Sequence, residues 1–419
     1  MKRRRVLAFV AGTAALLSAG PLAVPAAAGA QATAVRAAAS WGRAIAVPGL
    51  AALNTGRNAN VLSVSCPSAG NCTAGGYYKN HGKQGFVAVQ KNGRWHQAIE
   101  VPGLRALNKG GPAQVSEVSC ASAGSCAAGG LYRDGAGHQQ GFVAVETNGR
   151  WQQAIEVPGL GTLNKGGTAA VNSVSCASPG NCAAGGYYYS DASGHREAFV
   201  VSEKNGSWGT ARQVAGNLNV GGIAGINSVS CASAGNCSAG GGYRDGLDNY
   251  QAFVISEVGG TWAAAREVAG NLNSNGLASV YSVSCASPGN CSAGGDYDYD
   301  YNFGFVVSEK NGVWGKAINV PGLGALAFRF SDVLSVSCAS AGNCAAGGDY
   351  ETAGGSQGFV VIQKNGVWSK AITVPGLGSL KKGRYAGVQS VSCASAGNCA
   401  AGGYYSPTGR RLTFQGFVT

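Results

Sequence analysis

Tyrosine, aspartate, histidine and cysteine are the side chains of this sequence able to do chemistry, and they recur in fixed settings. Of its 16 tyrosines, 14 lie between a Gly-Gly pair and a following strand phenylalanine. One place, two residues past the glycines, is tyrosine at every recurrence: Tyr78, Tyr132, Tyr188, Tyr243, Tyr297, Tyr350 and Tyr405. An exposed ring of phenols would stack on sugar faces and hydrogen-bond through its hydroxyls, whereas a buried one would pack neighbouring units together. The residue before it varies: Tyr77, Leu131, Tyr187, Gly242, Asp296, Asp349 and Tyr404. Variation inside a repeat is where specificity can reside, so Tyr77, Tyr187, Tyr189 and Tyr404 are the first candidates for ligand contact.

The run Asp296-Tyr297-Asp298-Tyr299-Asp300-Tyr301-Asn302 alternates strictly. Extended, it puts the carboxylates of Asp296, Asp298 and Asp300 on one side and the phenols on the other. Clustered hard oxygens suit Ca²⁺, although the glycine and distal glutamate of an EF-hand loop are missing. A sugar-contacting loop and a solvated acidic loop are the alternatives. His81, His138 and His195 fall at similar places in three of the loops. They form either a pH-sensitive or metal-binding group or solvated loop side chains. Arg57, Lys109, Lys165, Lys381, Lys382 and Arg384 occupy a second loop set, either attracting an anionic cell-wall polymer or forming a solvated rim.

The cysteines come as Cys66/Cys72, Cys120/Cys126, Cys176/Cys182, Cys231/Cys237, Cys285/Cys291, Cys338/Cys344 and Cys393/Cys399, using all 14. Five residues separate the members of each pair, and first cysteines follow one another at 53–56 residues. The spacing is not a common zinc pattern and no histidine accompanies it. Each pair is expected to form a disulfide across a hairpin, contributing about 2 kcal/mol. Seven identical copies read as structure and not as redox catalysis. An oxidising compartment fits the leader: Lys2-Arg3-Arg4-Arg5, an apolar run from Val6 to Leu17, and Ala28-Gly29-Ala30 read as a secretory signal peptide over residues 1–30. The apolar run is too short and too interrupted to read as an anchor, and no other stretch is long enough to span a bilayer. Residues 31–40 read as a linker. Without the leader, Lys plus Arg falls from 31 to 27 against 19 acids, a mildly basic surface that argues for no nucleic-acid partner.

These side chains need a scaffold that repeats. Trp41, Trp95, Trp151, Trp208, Trp262, Trp314 and Trp368 keep the cysteine beat. Glycine is abundant, at 69 residues, and charged residues make up only 12% of the chain, which suits short strands and tight turns. In one unit, Val171–Ser178, Cys182–Tyr188 and Glu197–Lys204 alternate as strands, and the Asn205-Gly206 turn leads to a fourth at Trp208. The expectation is an all-β fold: a seven-bladed β-propeller of four-stranded antiparallel blades over residues 41–419. The last unit stops at its third strand, Gly416–Thr419, while Trp41–Val47 reads as a spare fourth strand. That strand is expected to complete the last blade and close the ring.

The pattern Gly185-Gly186, Phe199, Trp208 resembles kelch and galactose-oxidase-type propellers, in which the glycine pair ends the second strand and the tryptophan begins the outer one. The Ala/Gly-rich composition and the repeated V-S-C-A-S-x-G-x-C resemble secreted actinobacterial propeller proteins. In style they are similar to the lectin subunits that target secreted toxin particles. The resemblance implies a secreted, lectin-like protein that binds cell-surface carbohydrate through its loop face, with a partner protein in a secreted assembly. Enzyme signatures are missing: there is no GxGxxG, no GxxxxGK[ST] and no S-x-D-x-G-x-T-W box. A non-enzymatic protein without a cofactor, calcium apart, is therefore expected. A protein-binding scaffold and a propeller hydrolase or lyase are the alternatives.

Overall fold

Each cysteine pair marks a β-hairpin in the computed structural model, which describes residues 45–273, 276–298, 302–381, 383–407 and 414–419. The leader, the linker and Trp41 lie outside the described residues, as do Tyr299, Asp300 and Lys382. Blade 3 is representative. Its inner strand Ala169–Ser178 pairs antiparallel with the second, Asn181–Tyr189, which pairs with the third, Arg196–Lys204. The fourth strand is split into Ser207–Trp208 and Arg212–Val214, both paired with the third. The split arises because the Ala211 N–H donates to the Pro158 carbonyl of the preceding connection instead of to its own ladder (2.7 Å). Six such sheets and a seventh with three strands among the described residues follow one another, forming the all-β, seven-bladed propeller of four-stranded blades that the repeat predicts.

The disulfides form as expected, one per blade: Cys66–Cys72, Cys120–Cys126, Cys176–Cys182, Cys231–Cys237, Cys285–Cys291, Cys338–Cys344 and Cys393–Cys399. The seven copies are not identical in their surroundings, however, which corrects the reading of them as equivalent clips. Cys126, Cys182, Cys237, Cys291 and Cys344 are buried, Cys72 is half-buried and Cys399 is exposed. The buried sulfurs lie against the preceding blade: Cys126 Sγ is 3.4 Å from Thr73 Oγ1, Cys291 Sγ 3.4 Å from Ser238 Oγ, and Cys344 Sγ 3.5 Å from Ser292 Oγ. Cys344 is also flanked by Gln363 of its own third strand. In the last blade the third strand reaches only Gly402 of the second, so no strand residue pairs opposite Cys399. The clips of the interior blades are therefore part of the interface between blades, and that of the last blade is a surface staple.

The glycine pair is explained by packing. The inner strand of blade 3 carries a bulge between Val171 and Ser173. This brings the Ala170 carbonyl to 1.9 Å from where a Cβ on Gly186 would lie. Only glycine fits there. Its partner Gly185 is a socket: Ile226 and Val229 of blade 4 press on it, at 2.7 and 3.0 Å from a built Cβ. Successive inner strands are also stitched by serines. Ser173 Oγ accepts the Val229 N–H (2.9 Å) and Ser175 Oγ accepts the Cys231 N–H (2.9 Å). The stitch repeats from blade to blade, with Glu117 taking the serine's place at Val174 N (2.8 Å). The Ser-x-Ser-Cys run thus serves the interface as well as the clip.

Closure differs from expectation. Residues 41–44 of the closing strand lie outside the described residues, and Ile45–Val47 form no strand. The last blade has three strands, Ala386–Ser395, Asn398–Tyr405 and Gln415–Val418. The Val47-Pro48-Gly49-Leu50 segment is held by blade 1 instead. The Pro48 carbonyl accepts the Ala98 N–H (2.7 Å), and Val47, Leu50 and Leu53 pack beside Tyr78 and Phe86. Among the described residues, the strand packing that joins successive blades does not join blade 7 to blade 1.

Candidate recognition face

The loops after the second strand and after the fourth strand share one end of the blades, opposite the disulfide hairpins. The invariant tyrosines at this end turn inward. Tyr78, Tyr132, Tyr188, Tyr243, Tyr297 and Tyr350 are buried, and Tyr405 is half-buried. Their hydroxyls are engaged within the blade: Tyr78 donates to Glu100 (2.5 Å), Tyr132 to Glu156 (2.7 Å), Tyr243 to Glu267 (2.6 Å) and Tyr405 to Gln415 (2.7 Å). Burial, with the carboxylates beside them, pushes the phenols of Tyr78, Tyr132 and Tyr243 far above their ordinary range, and pushes Tyr188 to about 12. The six buried phenols pack the blades, as repetition of one residue suits, and offer no stacking surface.

The variable position before it is half-buried and chemically mixed. In blade 1, Lys83 Nζ lies 3.7 Å from the Tyr77 ring centroid and donates to Gln114 (2.5 Å). In blade 3, Arg196 lies 5.2 Å from the Tyr187 ring, which also meets Tyr189 at 6.2 Å. These cations take up ring faces that a sugar would need. Tyr404 instead meets Phe414 edge-on at 5.4 Å, and Phe414 meets Tyr385 at 6.3 Å.

Blades 5 and 6 place carboxyls where blades 1, 3 and 7 carry phenols. Asp296 is only 6% exposed, with the Tyr281 hydroxyl and the Asp332 carboxyl against it. Asp332 sits on the neighbouring inner strand, paired in register with Asp349. Burial raises all three carboxyls above the usual range, and the charge of Asp332 adds to the effect at Asp296 and Asp349, the latter reaching about 6. Of the three carboxylates whose alternation suggested calcium, the two that are described do not continue one strand. Asp296 faces Asp332, Asp298 adopts a positive φ of 88°, and Asp300 lies outside the described residues along with Tyr299. Among the described residues, no group of three or more His, Cys, Asp or Glu is placed to hold a metal ion.

His138 and His195 stay at the loop tips with their own aspartates, His195 Nδ1 at 2.6 Å from Asp191 and His138 Nδ1 at 3.6 Å from Asp134. His81 is exposed in its own loop, and no contact joins the three. The bases Arg57, Lys109, Lys165 and Arg384 are exposed on the same end, while the Lys381 ammonium donates to the Ser356 carbonyl (2.9 Å).

Residues the spacing argument passed over form the most open part of this end. Phe328 (65% exposed), Phe330, Tyr385 and Phe414 (52%) project from the loops of blades 5 to 7, and Val220 and Leu247 from those of blades 3 and 4. The sequence signal was available: Phe328 and Phe330 stand where blades 1 and 2 carry Asn-Lys-Gly or similar polar runs.

No protein-family model matches the chain, and no curated protein matches it. Among solved structures it is similar to an ulvan lyase, at 9% identity over 84% of this chain and 90% of that one, with a TM-score of 0.47. It is also similar to a GH74 xyloglucanase from Xanthomonas campestris, at 11% identity over 89% of this chain and 55% of that one (TM-score 0.48). A third likeness is to the β-propeller domain of the Trilobed protease from Pyrococcus furiosus, at 7% identity over 85% and 93% (TM-score 0.47). At these identities the likeness extends to the fold alone.

Proposed function

We propose that this protein is a non-enzymatic extracellular recognition protein that binds cell-surface carbohydrate through the loop end of its blades. The observation that carries the reading is the aromatic group Tyr404–Phe414–Tyr385, half-buried to exposed, with Arg384 exposed beside it in sequence. Open rings beside a cation offer stacking faces and a partner for acidic sugars or anionic cell-wall polymers. Seven clips and the rigid blade stack hold several loops in place at once, so weak contacts add through avidity. Seven disulfides also fit an oxidising, extracytoplasmic setting. Among the described residues no helix is long and apolar enough to cross a membrane. In this reading the chain is the targeting subunit of a secreted assembly.

The test is a glycan array probed with the oxidised chain, with Ca²⁺ and with chelator. Selective binding that falls at least tenfold in Tyr385→Ala and Phe414→Ala, with the fold retained, is the expected result. No binding anywhere on a broad array would overturn it. One observation favours a second reading, a protein-docking scaffold: Val220 and Leu247 are 77% and 82% exposed, and aliphatic side chains serve protein contacts better than sugars. A partner that co-purifies and resists sugar competition would support that reading instead.

A further inference from the structure

The disulfide end carries a second repeated feature. Crevices open between successive blades there, about 270 Å³ between blades 1 and 2, 260 Å³ between 2 and 3, 230 Å³ between 3 and 4, and 300 Å³ between 5 and 6. Into this level the third strands of blades 1 to 6 send a glutamate or glutamine, opposite the blade's tryptophan: Glu146, Glu203, Glu257 and Glu309, flanked by Gln90 and Gln363. The four glutamates are 3–5% exposed.

Blades 4 and 5 satisfy one oxygen of theirs through a serine of the preceding blade. Trp262 Nε1 donates to Ser202 Oγ (2.9 Å), which donates to Glu257 Oε1 (2.7 Å). Trp314 Nε1 donates to Ser256 Oγ (3.1 Å), which donates to Glu309 Oε1 (3.0 Å). The same place before blades 2 and 3 is held by Val89 and Val145. A valine can neither donate nor accept. The indole N–H groups of Trp151 and Trp208 and both carboxylate oxygens of Glu146 accordingly have no hydrogen-bond partner among the described residues; in Glu203, Glu257 and Glu309 the buried oxygen without one is Oε2. Leaving a buried carboxylate unpaired is costly, and such a group marks where a missing partner binds.

Two crevices lack a cation as well: the one between blades 4 and 5, which is closed to about 10 Å³ and has its glutamates bridged by serines, and the open one between blades 2 and 3. Lys91, Lys204 and Lys310 line the crevices between blades 1 and 2, 3 and 4, and 5 and 6. The corresponding residue between blades 2 and 3 is Thr147, and no basic side chain lines that crevice, although both Glu146 and Glu203 do. Its remaining wall is Val145, Pro179 and the Cys126 and Cys182 halves of two disulfides.

We propose that the crevice between blades 2 and 3 is a binding site for a small primary-ammonium group, whose N–H donors occupy the acceptors of Glu146 and Glu203. The ammonium stands in for the lysine that the crevices between blades 1 and 2, 3 and 4, and 5 and 6 supply from within. Its body is no larger than a monosaccharide or an amino-acid side chain. The source is either an amino sugar or a lysine side chain of another polypeptide, since both present the same donor. This site is at the end opposite the loop face and does not depend on the carbohydrate reading.

Titration calorimetry on the full oxidised chain tests it with three probes: glucosamine, Nα-acetyl-lysine amide and N-acetylglucosamine. Saturable binding of one or both ammonium probes at one site per chain is expected, with none for N-acetylglucosamine. Binding of glucosamine alone assigns an amino sugar, and of the lysine derivative alone a polypeptide. Thr147→Lys and Val145→Ser, both borrowed from sister blades and so compatible with the fold, should each weaken binding at least tenfold. Absence of saturable binding by both ammonium probes, equal binding of N-acetylglucosamine, or full affinity in Thr147→Lys overturns the proposal.

Discussion

The interface between blades 4 and 5 and the outward faces of blades 1 and 7 are built from the same residues and end in opposite environments. Val280 and Val283 of blade 5 are 0% and 5% exposed, pressed on Gly240 of blade 4. Their counterparts in blade 1, Val61 and Val64, are 37% and 53% exposed. Gly402 of blade 7, the counterpart of Gly240, meets only atoms of its own blade. Ser228 and Ser230 accept the N–H groups of Val283 and Cys285, whereas Ser390 and Ser392 stand exposed. The disulfides follow the same division, with Cys237 and Cys291 buried and Cys399 exposed. Burial at these positions is conferred by the neighbouring strands and not by the residue. Blade 1 carries the knobs and blade 7 the socket of an interface that is made six times elsewhere.

The largest effect should separate these regions cleanly. A Cβ on Gly240 would lie 2.5 Å from Val280 Cγ1, so Gly240→Val should cost about 3 kcal/mol in denaturant unfolding by overpacking. Gly402→Val, whose nearest neighbour is 3.6 Å away, should cost little. Equal losses at both sites would mean that blades 1 and 7 meet in solution.

A smaller effect, of the kind that buried Glu117 adds between blades 2 and 3, reports on the interface of blades 5 and 6. Asp349, raised from 3.8 to about 6, favours the folded state while protonated. That contribution is fully present below pH 3.8 and is lost as pH rises through about 6; Asp296 and Asp332 act in the same direction. Stability should therefore fall by about 2 kcal/mol between pH 4 and pH 8. Asp332→Asn should flatten that slope, and a slope unchanged in this variant would remove the coupling from the account.

The contrast also explains what could be read in the sequence. Blade number, strand order and clip pairing were legible because Cys, Trp and Gly-Gly recur with nearly constant spacing, and local hairpins are fixed by local residues. The orientation of Tyr78 and its counterparts was not, because second-strand residues alternate between faces and only the next element shows which face is covered. Asp332 went unnoticed as a site residue because its importance comes from register: pairing brings it beside Asp349, and packing brings it beside Asp296 of the preceding blade. Ser-x-Ser-Cys was visible in every blade but one, yet its hydroxyls act between blades, at a sequence distance of about one repeat. Val89 and Val145 carry the same lesson, since only the serines of other blades show what those valines omit.

The smallest effect is the most discriminating one for the seam. Val280→Ala removes two buried methyl groups from a packed interface and should cost about 2 kcal/mol. Val64→Ala, at a residue 53% exposed, should stay within about 0.5 kcal/mol. Residues Val47–Leu50 hold the same relation to blade 1 that Val101–Leu104 hold to blade 2, with Pro48 and Pro102 each accepting an alanine N–H of the adjoining blade. In blade 1 the residues leading into that segment are Ile99–Glu100, which pair with Val87 and Phe86. A full 2 kcal/mol loss in Val64→Ala would show that blades 1 and 7 meet in solution, and a neutral result that the two faces stay apart.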